Sequence, residues 1–140
     1  MRRPATTLLE LTLVMTIVGI CLALVAPRFA ALRDTAAVRG ASGEISATFS
    51  LARQTAIARR VMVAIVLDTA SGSVQVRAQG QLIRSRALGA IYGIGMGSNR
   101  DSAVYDARGV GYGAFNLTIV VRRRSAVDTL TASRLGRLRW

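Results

Sequence analysis

Seven carboxylates, one thiol and nineteen cationic side chains are the groups in this 140-residue chain that could do acid, base or nucleophilic chemistry. All nineteen cations are arginine, and the sequence contains neither lysine nor histidine. Their absence excludes a Schiff-base or phosphate-loop lysine, a histidine-based triad, an HExxH zinc site and any Cys/His metal cluster. It argues against an enzyme. The lone Cys21 cannot close an intramolecular disulfide, and inside an apolar run it reads as a small hydrophobe rather than a reactive thiol. Asp101 and Asp106 stand five apart with no basic partner for proton transfer, so they read as turn formers. The glycine runs Gly93-Ile94-Gly95-Met96-Gly97 and Gly109-Val110-Gly111-Tyr112-Gly113 lack the GxGxxG spacing between a strand and a helix. They read as turn or bulge glycines.

What remains is arginine, which sets the formal charge at +12. Over residues 122–140 six arginines, Arg122, Arg123, Arg124, Arg134, Arg137 and Arg139, face one carboxylate, Asp128. Guanidinium presents a planar fork of donors suited to phosphate, and clustered cations gain from counterion release on double-stranded DNA. The same charge also serves solubility and attraction to anionic lipid headgroups. Trp140 beside the cluster suits either stacking on a base or finishing a core.

The elements that carry these groups begin with an unusually apolar segment. Hydrophobic content is 51% and mean hydropathy +0.39, high for a single domain of this length. The excess sits in Leu11 to Pro27, seventeen uncharged residues between Glu10 and Arg28. As helix this is roughly 26 Å long, close to the ~30 Å hydrocarbon thickness once Leu8 and Leu9 are added. A membrane span is expected. Glu10 at its head speaks against a secretory h-region or a core helix, and in lipid such a carboxylate costs on the order of 3 kcal/mol. It either sits at headgroup level, favoured by the helix dipole, or meets a partner.

The stretch Arg2-Arg3-Pro4-Ala5-Thr6-Thr7-Leu8-Leu9-Glu10-Leu11 resembles the processing signal of type IV pilin-like proteins. In that family a short basic leader is cut before the apolar helix, and the fifth mature residue is glutamate. A cut between Ala5 and Thr6 makes Glu10 that residue, and in the same register Gly19 and Pro27 fall where the family's helix carries its glycine and proline. The family's glycine before the cut and phenylalanine after it are Ala5 and Thr6 in this chain. The resemblance implies N-methylation of a new Thr6 amine, a cytoplasmic N-terminus and a periplasmic domain. Charge counting leaves orientation open, because Arg2 and Arg3 are balanced by Arg28, Arg33 and Arg39.

Beyond Arg28 the pattern stays helical, with Val38, Ile45, Phe49, Ala52 and Ala56 forming one apolar stripe. Gly40 and Gly43 weaken this helix and are candidates for a bend, and Pro27 for a kink. After Arg60 the period becomes that of strands. Val61–Leu67 and Val74–Arg77 flank a Thr69–Ser73 turn, Leu82–Leu88 follows, residues 89–97 read as a glycine-rich loop, and strands are expected at 103–106, 115–122, 127–131 and 135–139. The expected fold is α+β: a long N-terminal helix, transmembrane and then amphipathic, packed on a mainly antiparallel β-sheet. The organisation reads as a leader at 1–5, a membrane and filament-core helix at 6–28, its amphipathic continuation at 29–60 and a β-sheet domain at 61–140.

Leu51-Ala52-Arg53-Gln54-Thr55-Ala56-Ile57-Ala58-Arg59-Arg60, followed by a valine-rich strand, is similar to the helix-to-sheet junction of GspH/FimT-like minor pseudopilins. The ending Gly136-Arg137-Leu138-Arg139 is similar to theirs as well. The resemblance implies a minor subunit of a type IV pilus or type II secretion filament, without cofactor or metal. Its partners would be other pilin or pseudopilin subunits, a prepilin peptidase, the inner-membrane assembly platform and the membrane. Ala5 and Thr6 would serve processing, and Glu10, Gly19 and Pro27 assembly. In the FimT-like branch a Gly-Arg-x-Arg ending is associated with DNA uptake, which makes the C-terminal arginines candidate DNA ligands.

Overall fold

A computed structural model describes residues 7–113, 115–133 and 136–139. The chain divides into two units, the first ending at Arg33 and the second beginning at Asp34, and helix α1 (Leu8–Arg59) runs through both. Its start is set by Thr7, whose hydroxyl accepts the Glu10 backbone N–H at 3.3 Å as an N-cap does. Its end is a left-handed residue, Arg60 (φ 53°), with Val61 N–H returning to the Ala56 carbonyl at 3.3 Å. That 6→1 bond is the Schellman closure, made with arginine where glycine is usual. Gly40 and Gly43 lie inside the unbroken helix. A Cβ at Gly40 would come within 2.9 Å of the Tyr92 ring, so this glycine seats an aromatic ring rather than marking a bend.

In the second unit α1 is followed by β1 (Val63–Asp68), β2 (Ser73–Ala78), β3 (Gln81–Ala87), a short helix α2 (Leu88–Tyr92), β4 (Gly95–Ser98), β5 (Ser102–Tyr105), β6 (Gly111–Tyr112), β7 (Leu117–Arg123), β8 (Ala126–Ala132) and β9 (Leu138–Arg139). They form two antiparallel sheets, ordered β3-β2-β1-β5-β6 and β4-β7-β8-β9. The mainly antiparallel β-sheet expected from the sequence is present as two sheets. The run at 89–97 is not a loop throughout: it holds most of α2 and most of β4. Strand β4 reads GMGS, and Arg122 of β7 lies against it, its Cγ 3.4 Å from where a Gly95 Cβ would stand and its Nη2 3.6 Å from that of Gly97. The glycines that hide the strand in the sequence make room for that side chain.

Alternation in the strands sends one set of side chains inward: Val63, Ile65 and Leu67 from β1, Val74 and Val76 from β2, Leu117, Ile119 and Val121 from β7, and Leu130 from β8. These meet Val38, Ala41, Ile45, Phe49, Ala52 and Ala56 of α1, all 2% exposed or less, in one core. The stripe expected from helical spacing is the face that both sheets share. Turns are held by carboxylates. Asp68 accepts the Ser71 hydroxyl at 2.6 Å and the Ala70 N–H at 3.0 Å, and Asp106 accepts the Val110 and Arg108 N–H groups at 2.9 Å. The Ser71 hydroxyl chiefly holds the Asp68 carboxyl below its ordinary range, and the Val110 N–H does the same for Asp106. Asp106 is therefore the turn former its spacing suggests.

Phe49, 1% exposed, stands midway along the stripe. Truncation to alanine leaves a cavity facing both sheets, and Phe49→Ala is expected to lower unfolding stability by about 3–5 kcal/mol, read by denaturant titration of the detergent-solubilised chain. A loss below about 1 kcal/mol would mean that the sheets do not depend on this stripe.

Candidate assembly segment and arginine sites

The first unit contains Glu10, Gly19 and Pro27 on one helical segment, while Ala5 and Thr6 lie outside the described residues, as do Arg134 and Trp140. The segment is long and apolar enough to cross a membrane. Twelve large apolar side chains from Leu8 to Val25 are exposed on the isolated chain. Its hydroxyls turn back onto their own helix: Thr12 donates to the Leu9 carbonyl at 2.8 Å and Thr16 to the Thr12 carbonyl at 2.7 Å. No hydroxyl of this pair then needs water, as an apolar surrounding requires. Glu10 has no ion-pair partner among the described residues, its backbone N–H alone being held by Thr7. A Cβ at Gly19 would meet nothing within 4 Å, so this chain's own packing does not demand a glycine there. Cys21 is exposed on the same segment.

The second unit distributes the arginines. Arg123 Nε lies 2.9 Å from Asp34 Oδ1, and Arg124 Nη1 lies 3.7 Å from Asp34 Oδ2. Arg123 Nη1 also donates to the Tyr92 carbonyl, so one guanidinium joins α1, β7 and the end of α2. Asp34 is 4% exposed and falls one turn before Val38, on the apolar stripe itself. A carboxylate at a core position requires a cation, and that position is the signal from which this pair could have been found. A second carboxylate on α1, Glu44, is met by Arg86 Nε at 2.8 Å and Arg84 Nη2 at 3.5 Å from β3, and accepts from the Tyr92 hydroxyl at 3.3 Å. Sequence reading missed this cluster because its members lie some forty residues apart.

The five C-terminal candidates among the described residues thus go to different places. Arg123 is committed to Asp34, Arg124 extends from the same turn with most of its side chain exposed, and Arg122 lies across β4. Arg139 is exposed on β9, paired through its backbone with Thr131. Arg137 lines a separate cleft of about 290 Å³ with Ser46, Ser50 and Arg53 of α1 and Tyr105 of β5. There Tyr105 donates to the Gly136 carbonyl at 2.9 Å. Gly136 has φ 73°, and a Cβ on it would come within 2.4 Å of the Tyr105 ring, so the position before Arg137 admits only glycine. Burial pushes the Tyr105 hydroxyl up to about 12, with Arg53 pulling the other way.

Among solved structures, the chain is similar to the type IV minor pilin FimU of Pseudomonas aeruginosa in two crystal forms. Identity is 16% in both, with TM-scores of 0.61 and 0.60 over 73% and 72% of this chain and 86% and 90% of those chains. It is also similar to the minor pseudopilin EpsH from the type 2 secretion system of Vibrio cholerae, at 12% identity and TM-score 0.60, covering 73% of this chain and 94% of that one. No protein-family model and no curated protein matches the sequence. At such identities the likeness is one of fold. The chain has the α+β pilin-like fold of minor pseudopilins, as its sequence patterns imply.

Two outcomes follow from this geometry. Asp34→Ala strands Arg123 and is expected to reduce unfolding stability by about 2 kcal/mol in denaturant titration, with Asp34→Asn losing less because it keeps an acceptor. The Tyr105 hydroxyl, raised above its ordinary 10.0, contributes stability that is fully present below pH 10 and lost as pH rises through about 12. Unfolding followed across that interval should steepen in the native chain and flatten in Tyr105→Phe.

Proposed function

We propose that this chain is a minor pilin-like subunit of a type IV pilus or type II secretion filament, made as a membrane-held precursor and processed by a prepilin peptidase. The observation that carries the reading is the exposed apolar helix, headed by a Glu10 with no ion-pair partner among the described residues, in a chain with the minor-pseudopilin fold. Leu11 to Pro27 would hold the precursor in the inner membrane, with the N-terminus in the cytoplasm and the β-sheet domain in the periplasm. Cleavage between Ala5 and Thr6 would free the Thr6 amine, the atom that N-methylation would modify. In the filament that cation pairs with Glu10 of a neighbouring subunit, which offsets the cost of the buried carboxylate and sets the axial stagger. Gly19, whose open side contacts nothing in its own chain, gives neighbouring helices a close approach, and Pro27 permits local unwinding. The solved relatives are named as pilus and secretion-system subunits, which supports a role among other pilins and on their assembly platform rather than in catalysis.

A second reading is favoured by one observation: Arg137 and Arg139 are exposed and meet no carboxylate among the described residues, whereas Arg123 does. In that reading the subunit captures double-stranded DNA with its C-terminal arginines during uptake. A filament subunit can do both.

The decisive experiment is intact mass and N-terminal sequencing of the membrane-extracted protein, expressed with and without a prepilin peptidase. A mature chain beginning at Thr6 only when the peptidase is present is expected. An uncut start would leave a plain membrane anchor, and a cut near Ala26 would make the chain a secreted domain and end the filament reading. With processing established, Glu10→Leu is expected to insert normally and to be lost from filaments by at least tenfold.

A further inference from the structure

The cleft at Arg137 contains more than the C-terminal arginine run explains. Arg53, eighty-four residues earlier on α1, lines it with Arg137, and Ser46 and Ser50 stand two turns and one turn before Arg53 on the same helix face. No carboxylate among the described residues lines the cleft. Neither guanidinium has an ion-pair partner among the described residues, and neither serine hydroxyl has a hydrogen-bond partner among them. The half-buried arginines at positions 84, 86 and 123, unlike half-buried Arg53, are each matched to a carboxylate.

The backbone that presents Arg137 is fixed. Ser133 N–H donates to the Arg137 carbonyl at 2.9 Å, Gly136 N–H to the Ser133 carbonyl at 2.8 Å, and the Arg137 N–H to the Ser133 hydroxyl at 3.3 Å. Tyr105 clamps Gly136 from the core side, and Gly109 lets the Arg53 stem lie close, with Cγ 3.2 Å from where a Gly109 Cβ would stand. Two guanidinium groups and two hydroxyls around about 290 Å³ make a site rich in donors, suited to a phosphate-type oxyanion.

We propose that Arg53 and Arg137, with Ser46 and Ser50, form a binding cleft for a single phosphate group, supplied by the phosphodiester backbone of a nucleic-acid strand. The choice of source rests on the second reading above; the cleft itself does not. Exposed Arg139, two residues further along the extended C-terminal strand and so about 7 Å away, is placed to meet a neighbouring phosphate outside the cleft. Contact is to backbone oxygens only, so binding is indifferent to base sequence and falls steeply with salt.

The test uses the full chain in a nonionic detergent and inorganic phosphate as first probe, titrated against chloride at constant ionic strength. Phosphate is expected to raise the unfolding temperature in a saturable way. Arg53→Gln and Arg137→Gln should each weaken that affinity about tenfold or more, with Arg53→Lys intermediate and Arg139→Gln unchanged. Arg137 is exposed, so its variant separates loss of binding from loss of folding. Absence of a phosphate-specific shift, or equal affinity in a folded Arg53→Gln chain, overturns the cleft. Duplex DNA and phosphatidylglycerol vesicles then identify the source. DNA affinity that falls in Arg53→Gln, with the salt slope reduced by about one, supports the nucleic-acid assignment. Phosphate binding with no DNA binding, or with Arg53-dependent binding to vesicles alone, keeps the cleft and overturns nucleic acid as its source, the second reading failing with it. DNA binding that is unaffected by Arg53→Gln overturns the cleft and leaves that reading standing.

Discussion

Everything in the second unit depends on one face of α1 being covered from two sides. Val38, Ala41, Ile45, Phe49, Ala52 and Ala56 are spaced as a helix face requires, and three of the six are alanine. Small residues allow a sheet to approach the helix axis closely, while Phe49 and Ile45 supply the bulk of the stripe. A single continuous sheet would cover this face only by curling around the helix. Division into a five-stranded and a four-stranded sheet achieves the coverage with strands of two to seven residues. The core is one cluster despite the two sheets because both supply alternate side chains to the same stripe.

Hydrophobic coverage alone does not fix how each sheet sits along the helix, since apolar contact is non-directional. The two carboxylates on α1 supply the direction. Asp34 receives Arg123 from β7, and Glu44 receives Arg84 and Arg86 from β3, so each sheet has its own charged tie to the helix. Tyr92 links the two, giving its carbonyl to Arg123, its hydroxyl to Glu44 and its ring to Gly40. Replacing such a pair with matched apolar residues can leave stability unchanged, whereas an unmatched partner is costly. What the pairs contribute is register.

The parts legible in the sequence were those governed by local period. The stripe on α1 is written in residues three and four apart, the β1–β2 hairpin in a valine-rich run beside a Ser/Gly turn, and Asp106 as a turn former in its loop setting. The parts that were not legible depend on groups distant in the chain. Strand β4 is built of glycines because Arg122 lies across it, so its composition argues for a loop until β7 is in place. The six C-terminal arginines look like one patch in sequence, but a strand alternates its side chains and a hairpin turn redirects them. Arg123 is therefore drawn into an ion pair while Arg137 joins Arg53. Asp34 was readable in principle: a carboxylate one turn before Val38 on an apolar face has to find a cation.

The first unit reverses these conditions. From Leu8 to Val25 the helix satisfies its backbone and its threonine hydroxyls internally, yet leaves twelve large apolar side chains without any contact that would bury them. At about 1.5–3 kcal/mol for each side chain fully buried, the exposed face represents on the order of 20 kcal/mol that only an apolar surrounding can recover. Lipid would recover it for a single subunit. A bundle of like helices would recover it equally well, because lipid tails and leucine side chains are comparably apolar. In the filament proposed above, the balance between the two is decided by the polar exception, Glu10. In lipid the carboxylate lacks a partner of its own, whereas beside the free amine of another subunit it gains one. In the proposed filament, a single ionisable residue at the head of the segment therefore tips a nearly neutral exchange of apolar surroundings toward assembly.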